Sequence, residues 1–167
     1  MLGPGCLNFA LALSLASWPA LLDVEGSFAR ILHTIAVALD LPSLAVAGRT
    51  DLALDARKVS GNAQRRGRQA LLHHGTLLYD FDAGLATRYL REPARQPAYR
   101  SGRRHQDFIG NLPLSGGAVR VRLEAACRSL EAGRFGPGLR PDGTPSRPRR
   151  EGTMPSSNWR SRHSSSH

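Results

Sequence analysis

Residues 51–79 have the sequence DLALDARKVSGNAQRRGRQALLHHGTLLY, and this stretch decides the fold prediction. Short apolar runs alternate with polar and glycine-containing segments, a pattern typical of neighbouring strands. It predicts a hairpin over residues 51–64 with its turn near Asp55 and Ala56. A further strand is predicted at residues 70–79, with residues 65–69 forming a basic loop between them.

The flanking sequence adds two further strands and three helices. Residues 6–22 are apolar and resemble a signal peptide, but no Lys or Arg precedes them, and large and small side chains alternate. This alternation favours a strand over residues 7–15. Residues 25–39 have the apolar spacing of an amphipathic helix. The remaining predicted elements are a short strand at 44–47, a short helix at 83–90, a polar connector at 91–104 and a closing helix near 119–130.

The charge of +10 is concentrated toward the C-terminus, where residues 111–167 hold ten arginines against four acidic residues. Beyond residue 132, Gly, Pro, Ser and Arg dominate, and such a segment cannot bury enough apolar area to offset its ordering entropy. We therefore predict one folded domain over residues 1–132 and a basic, disordered tail over residues 133–167. A basic balance attracts nucleic acid, anionic membranes or acidic proteins and does not define a fold.

The cysteines and histidines predict no metal site. Cys6 and Cys127 are far apart and lack metal-ligand spacing, which fits a reducing cytoplasm. We interpret Cys6 as a small buried residue in preference to a nucleophile. His73 and His74 are neighbours on a predicted strand, so they should face opposite sides of the sheet and not share one ion.

Lys58 is the chemically distinctive residue, because the other 22 basic residues are all arginines. Residues 60–63, Ser-Gly-Asn-Ala, are small or hydrogen-bonding and would let a ligand approach the backbone closely. An ammonium at this position can bind a carbonyl or anionic oxygen, which suits acyl transfer. Arg65, Arg66 and Arg68 can hold phosphates or an acidic partner. A basic hairpin with a solvated face fits the same residues equally well.

Three separated segments together resemble a known family: residues 48–52 (GRTDL), 57–66 (RKVSGNAQRR) and 72–77 (LHHGTL). They are similar to the biotin/lipoate A/B protein ligase family, and closest to its lipoate–protein ligase branch, over about residues 3–114. The resemblance implies an α/β (α+β) fold of the class II synthetase-like type. This fold has a mixed sheet and helices packed on one side.

The resemblance also assigns roles to residues. Lys58 would be the catalytic residue that contacts the acyl-adenylate or acyl carbonyl. Asp51 would lie beside the nucleotide and acyl pocket. Gly61, Ala63 and His74 match residues that line this pocket in the family. Ser60 and Asn62 join them as substrate- or nucleotide-binding candidates because of their small, hydrogen-bonding side chains. Arg65, Arg66 and Arg68 remain candidates for partner or phosphate contact because of their charge.

The implied reaction is activation of lipoate or octanoate with Mg-ATP, followed by acyl transfer to a lysine of an acidic lipoyl domain. Such domains belong to the 2-oxoacid dehydrogenases and the glycine cleavage H protein. No tightly bound cofactor, membrane or nucleic acid is expected. The family has a glycine-rich loop with paired arginines before the segment that residues 3–8 resemble, and we expect this chain to lack it. The alternatives are a cysteine-dependent octanoyltransferase, a biotin–protein ligase, an inactive truncated copy and a basic nucleic-acid-binding protein.

Overall fold

A computed structural model describes residues 3–136, which form five strands and four α-helices. The strands are β1 (Cys6–Ser14), β2 (Leu44–Ala47), β3 (Asp51–Leu54), β4 (Arg57–Arg66) and β5 (Ala70–Leu78). The helices are α1 (Val24–Leu39), α2 (Ala83–Tyr89), α3 (His105–Phe108) and α4 (Gly116–Glu131). Both long helices begin at a side-chain cap, because Asp23 accepts a hydrogen bond from Gly26 N and Ser115 accepts one from Ala118 N.

The strands form one sheet in the order β1-β5-β4-β3-β2, and every neighbouring pair is antiparallel. The predicted α/β class is confirmed, but the strand directions correct the expectation of a mixed sheet. Within residues 3–136 the parallel component is an isolated bridge between Lys58 and Ile109. The reason is local: β2 to β5 follow one another through short connections, and such connections join antiparallel neighbours.

The two faces of the sheet differ in what covers them. On the covered face, large apolar side chains such as Leu13, Leu71 and Leu77 pack beneath α1 and α4. On the open face, alternate positions of the same strands carry small residues, among them Ala10 and Ala63, both exposed. The short helices α2 and α3 border this second face, so only the long helices follow the prediction of helices on one side.

The hairpin between β3 and β4 turns at Asp55 and Ala56, as predicted. Both residues are left-handed, with φ of 47° and 60°. A two-residue turn with two positive φ angles matches the twist of the strands it joins. The predicted basic loop is shorter than expected, because Arg65 and Arg66 continue β4 and pair with Leu72 and Leu71.

The remaining predictions divide between confirmed and untested ones. Strand β2 and helix α2 lie where the sequence predicts them, and α4 begins three residues before Val119. None of the helices within residues 3–136 combines the length and apolar character needed to cross a membrane. The tail prediction covers residues 133–167, of which residues 137–167 lie outside the described residues.

Candidate active site

A cavity of about 700 Å³ lies over the open face, between the strands and the segment that carries α2 and α3. It brings together six of the residues predicted for the site: Asp51, Lys58, Gly61, Asn62, Ala63 and His74. Its opposite wall is mostly apolar, with Phe81, Leu90 and Phe108, and also includes Arg100 and His105. A second hollow, of about 730 Å³, lies between α1 and β2 and contains none of the predicted site residues.

Lys58 and Asp51 form an ion pair at the polar end of the cavity, with 2.8 Å between Lys58 Nζ and Asp51 Oδ1. The Asp51 side chain is 8% exposed, whereas that of Lys58 is 31% exposed. The carboxylate is therefore buried beneath an ammonium that still reaches the cavity. Asp51 Oδ1 also accepts a hydrogen bond from Thr50 Oγ1 at 3.3 Å. These contacts hold a positive charge at a defined position in the cavity wall.

Gly61 leaves the room that this ammonium occupies. A Cβ atom at position 61 would lie 3.0 Å from both Cε and Nζ of Lys58, tighter than an ordinary contact. Ala63, two residues further along β4, places another small side chain on the same face of the strand. The small residues recognised in the sequence therefore allow the lysine side chain to lie flat along the strand.

Tyr99 completes the arrangement, and its contribution was missed from the sequence. Its hydroxyl donates a hydrogen bond of 2.7 Å to Asp51 Oδ2. Burial raises the pKa of Tyr99 well above its usual value, and the hydrogen bond to Asp51 and the negative charge of Asp51 raise it further. Tyr99 is thus a neutral donor at physiological pH. The one available signal was an aromatic side chain within a connector otherwise rich in arginine and proline.

Two polar residues of β4, Ser60 and Asn62, lie on the same face of the strand and contact each other. Ser60 is buried on the covered face and does not line the cavity, so its predicted role in ligand contact is not supported by its position. Asn62 donates through Nδ2 to Thr50 O at 2.8 Å and to Ser60 Oγ at 3.0 Å. Its buried Oδ1 has no partner among the described residues. Asn62 therefore ties β4 to the segment before β3 at the edge of the cavity.

The three predicted arginines do not act together. Arg65 and Arg68 are exposed, on the open face and in the loop after β4 respectively. Arg66 points the other way and donates to the carbonyl oxygens of Leu21 and Leu22, and also to two side chains, Ser27 and Gln64. Because its guanidinium is engaged within the fold, the prediction that Arg66 contacts a partner or phosphate is not supported by the structure.

His73 and His74 lie on opposite faces, as the alternation predicts. The His73 ring is buried between Phe9 and Phe28, and Gln64 Nε2 lies 3.1 Å from its Nδ1. Burial, with a smaller effect from neighbouring His74, lowers the pKa of His73 from 6.5 to about 4. His74 is exposed and lines the cavity. His73 is therefore a neutral core residue, and His74 is the histidine available to a ligand.

Neither cysteine lines the cavity. Cys6 is half-buried at the start of β1, and Cys127 lies on α4 against the hydrophobic core. Burial, followed by the charge of nearby Glu131, raises the pKa of the Cys127 thiol, which disfavours the nucleophilic thiolate. Within residues 3–136, no group of three or more His, Cys, Asp or Glu side chains is arranged to hold a metal ion.

The fold is that of the lipoate– and biotin–protein ligases. The structure matches lipoate–protein ligase A bound with ATP, with a TM-score of 0.58, 19% identity, and coverage of 76% of this chain and 53% of that one. For a bi-partite lipoate protein ligase of Thermoplasma acidophilum, solved in a study with its E2 lipoyl domain, the TM-score is 0.59 at 18% identity, covering 77% and 52%. The biotin protein ligase of Aquifex aeolicus gives 0.51 at 13% identity, covering 78% and 54%.

The sequence narrows this class to one family. The family model for the lipoyl protein ligase A/B catalytic domain matches residues 1–118 of the sequence, and the chain belongs to this family. A curated relative, "Inactive lipoate–protein ligase 2" of Plasmodium falciparum (isolate 3D7), is 36% identical over 58 residues, which are 35% of this chain and 15% of that protein. The chain spans about half the length of the solved ligases it matches.

Proposed function

We propose that the chain is the catalytic core of a lipoate– or octanoate–protein ligase, which positions an acyl group for transfer to a lysine of a lipoyl domain. The observation that carries the proposal is the Lys58 ammonium, held by Asp51 at the polar end of a cavity with a mostly apolar wall. An aliphatic acyl chain would lie along the wall that includes Phe81 and Leu90. Its carbonyl oxygen would then meet the Lys58 ammonium.

In this arrangement Lys58 acts as a hydrogen-bond donor and not as the nucleophile. Its amine is already engaged as the cation of the pair with Asp51. When the neutral amine of the acceptor lysine in a lipoyl domain attacks the acyl carbon of the acyl-adenylate, negative charge develops on the carbonyl oxygen, and a fixed cation stabilises it. One such donor typically lowers the activation free energy by about 3–4 kcal/mol. The bond from the acyl carbon to the phosphate oxygen then breaks, AMP leaves, and the amine releases a proton to solvent. The exposed guanidiniums of Arg65 and Arg68 would attract an acidic lipoyl domain.

Relatives support the choice of substrates. A solved ligase of the same fold binds ATP, and another comes from an archaeal lipoylation system that includes an E2 lipoyl domain. We therefore assign Mg-ATP, as a substrate, to the step that makes an acyl-adenylate. A cysteine-dependent transferase is less well supported, because Cys6 and Cys127 lie outside the cavity. We also propose that the protein acts in the cytoplasm, as the two isolated cysteines predict.

A second candidate is a ligase-like chain that binds the acyl group without transferring it. The observation that favours it is the name of the curated relative, which is an inactive ligase. In this alternative the cavity and the pair between Lys58 and Asp51 would retain acyl binding, while both acyl activation and acyl transfer are lost. The two candidates therefore predict the same binding and different chemistry.

The experiment supplies the full chain with octanoate, lipoate or biotin, Mg-ATP and an apo lipoyl domain, and measures acylation by the intact mass of that domain. A parallel reaction supplies preformed octanoyl-adenylate and so bypasses activation. Lys58→Arg keeps the charge but replaces a compact ammonium with a planar fork. We expect acylation to fall about 100- to 1000-fold with an unchanged unfolding midpoint. Arg120→Lys, on the exposed surface of α4, is the matched control for an Arg/Lys exchange.

Each outcome decides between the alternatives. Wild-type rates in Lys58→Arg would remove Lys58 from the mechanism. Saturable octanoate binding that depends on Lys58, without transfer even from octanoyl-adenylate, would select the second candidate. Preferential use of biotin would reassign the acyl substrate. A chain that neither binds nor transfers any of the three acids would overturn both candidates.

A further inference from the structure

We propose that Tyr99 is the positioning residue of the site: its hydroxyl fixes the Asp51 carboxylate so that the other carboxylate oxygen holds Lys58. The inference rests on the proposed function for its effect on acyl transfer, but the contact itself is independent of any ligand. Tyr99 lies in the connector between α2 and α3, 48 residues from Asp51 in sequence. The connector would therefore be part of the catalytic apparatus as well as a wall of the cavity.

The geometry at Asp51 carries the argument. Its two oxygens have different partners, because Oδ2 accepts from Tyr99 at 2.7 Å and Oδ1 pairs with Lys58 Nζ at 2.8 Å. A carboxylate held at both oxygens cannot rotate without losing one contact. The Asp51 side chain is only 8% exposed, so water has little access to replace the tyrosine hydroxyl. Without that hydroxyl, Oδ2 would be a buried charged oxygen in need of a donor, and rotation toward Lys58 would satisfy it.

Tyr99 is itself held rigidly. Its ring packs against Phe108 with 5.1 Å between ring centroids, and its carbonyl oxygen accepts a hydrogen bond of 2.8 Å from Arg103 Nη2. The guanidinium of Arg103 also lies over the Phe108 ring, 5.4 Å from its centroid. Arg100 lies over the same ring at 4.8 Å and pairs with Glu92. The connector is thus anchored to α3 at several points, which gives the hydroxyl a defined position.

A purely structural role does not account for the hydroxyl group. The packing against Phe108 requires only an aromatic ring, which phenylalanine would supply. Among the described residues, the hydrogen-bond partner of the Tyr99 hydroxyl is Asp51. Removing the oxygen alone therefore separates positioning from packing, and Tyr99→Phe is the variant that does so. Tyr89→Phe, at a side chain that is 64% exposed, is the matched control for loss of a phenolic hydroxyl.

The first measurement uses the fact that Lys58 is the only lysine in the chain. Labelling with ¹³C,¹⁵N-lysine gives one lysine spin system, whose ¹³Cε relaxation and ε-proton inequivalence report how firmly the amine is held. In the ligand-free full chain we expect a restricted side chain for the wild type and Tyr89→Phe. Asp51→Asn should give a mobile one, and Tyr99→Phe should shift most of the way toward Asp51→Asn.

The second measurement is acylation from octanoyl-adenylate. We expect Tyr99→Phe to lower kcat about 10- to 100-fold, because a displacement of about 1 Å in a catalytic site can cost roughly 100-fold, with a KM for octanoyl-adenylate within about twofold of wild type. A Tyr99→Phe chain with wild-type Lys58 dynamics would overturn the inference, as would wild-type dynamics in Asp51→Asn. If Tyr99→Phe makes the Lys58 side chain mobile but neither the wild type nor any variant acylates the lipoyl domain, the positioning role holds and the proposed function fails. The two failures are therefore distinguishable.

Discussion

The covered and open faces of the sheet are built from alternate residues of the same strands, yet they serve different ends. In β5, Leu71, His73 and Leu77 are fully buried beneath the long helices. Their neighbours Leu72 and His74 are exposed on the other side. The side-chain period of two in a strand therefore assigns every second residue to stability and the rest to the cavity. Sequence neighbours here should respond very differently to the same substitution.

The contrast extends to polar groups. On the covered face, polar side chains such as Gln64 and Arg66 bond to other parts of the fold. On the open face, the carboxylate of Asp51 is satisfied by Lys58 and Tyr99, and the amine remains within reach of a ligand. Polar groups on the covered face thus close the structure. Those on the open face leave the Lys58 ammonium available for chemistry.

The largest expected difference between the faces is at two leucines of β5. Leu77→Ala removes a fully buried side chain and leaves a cavity beneath the helices. We expect it to lower the free energy of unfolding by about 2–5 kcal/mol. Leu72→Ala, at a residue 40% exposed on the open face, should cost under about 1 kcal/mol. Urea unfolding of both variants measures the difference, and equal losses would contradict the assignment of the two faces.

That assignment was predictable from sequence for some strands and not for others. The alternation of Leu and Ala in β1 predicted its two faces, and the run at residues 44–47 predicted β2 at its observed bounds. The end of β4 was not predictable, because the arginines there carry no apolar pattern and the strand is defined by pairing with β5. The contact of Tyr99 with Asp51 depends on the path of a 14-residue connector (91–104), which local propensity does not encode.

The next effect in size is a pH dependence of stability that arises from His73 on the covered face. The pKa of His73 is about 4 in the fold against 6.5 for an exposed histidine. Between these values the unfolded chain binds the proton and the folded chain does not, so stability falls as pH decreases from 6.5 to 4. The stabilisation that depends on a neutral His73 is fully present above pH 6.5, and the lowered pKa corresponds to roughly 3 kcal/mol of unfolding free energy.

Thermal or urea unfolding between pH 7 and pH 4 measures this slope. Other groups also titrate in the range, so the informative quantity is the difference between variants. His73→Gln should flatten the curve, whereas His74→Gln, one residue away on the open face, should leave most of the slope. A slope unchanged by His73→Gln would show that the ring is not buried as described.

The smallest expected effect separates two neighbouring arginines of β4. Arg66 donates to the carbonyl oxygens of Leu21 and Leu22 and to Ser27, so Arg66→Ala should lower the free energy of unfolding by about 1–3 kcal/mol. Arg65 is exposed on the open face, and Arg65→Ala should leave stability within about 0.5 kcal/mol of wild type.

If an acidic lipoyl domain docks on the open face, Arg65→Ala should raise the KM for that domain, and the increase should shrink as salt is added. Urea unfolding and acylation rates at two salt concentrations test both halves. A stability loss in Arg65→Ala equal to that in Arg66→Ala would mean that both side chains support the fold, and the open face would then lose its basic contact for a partner.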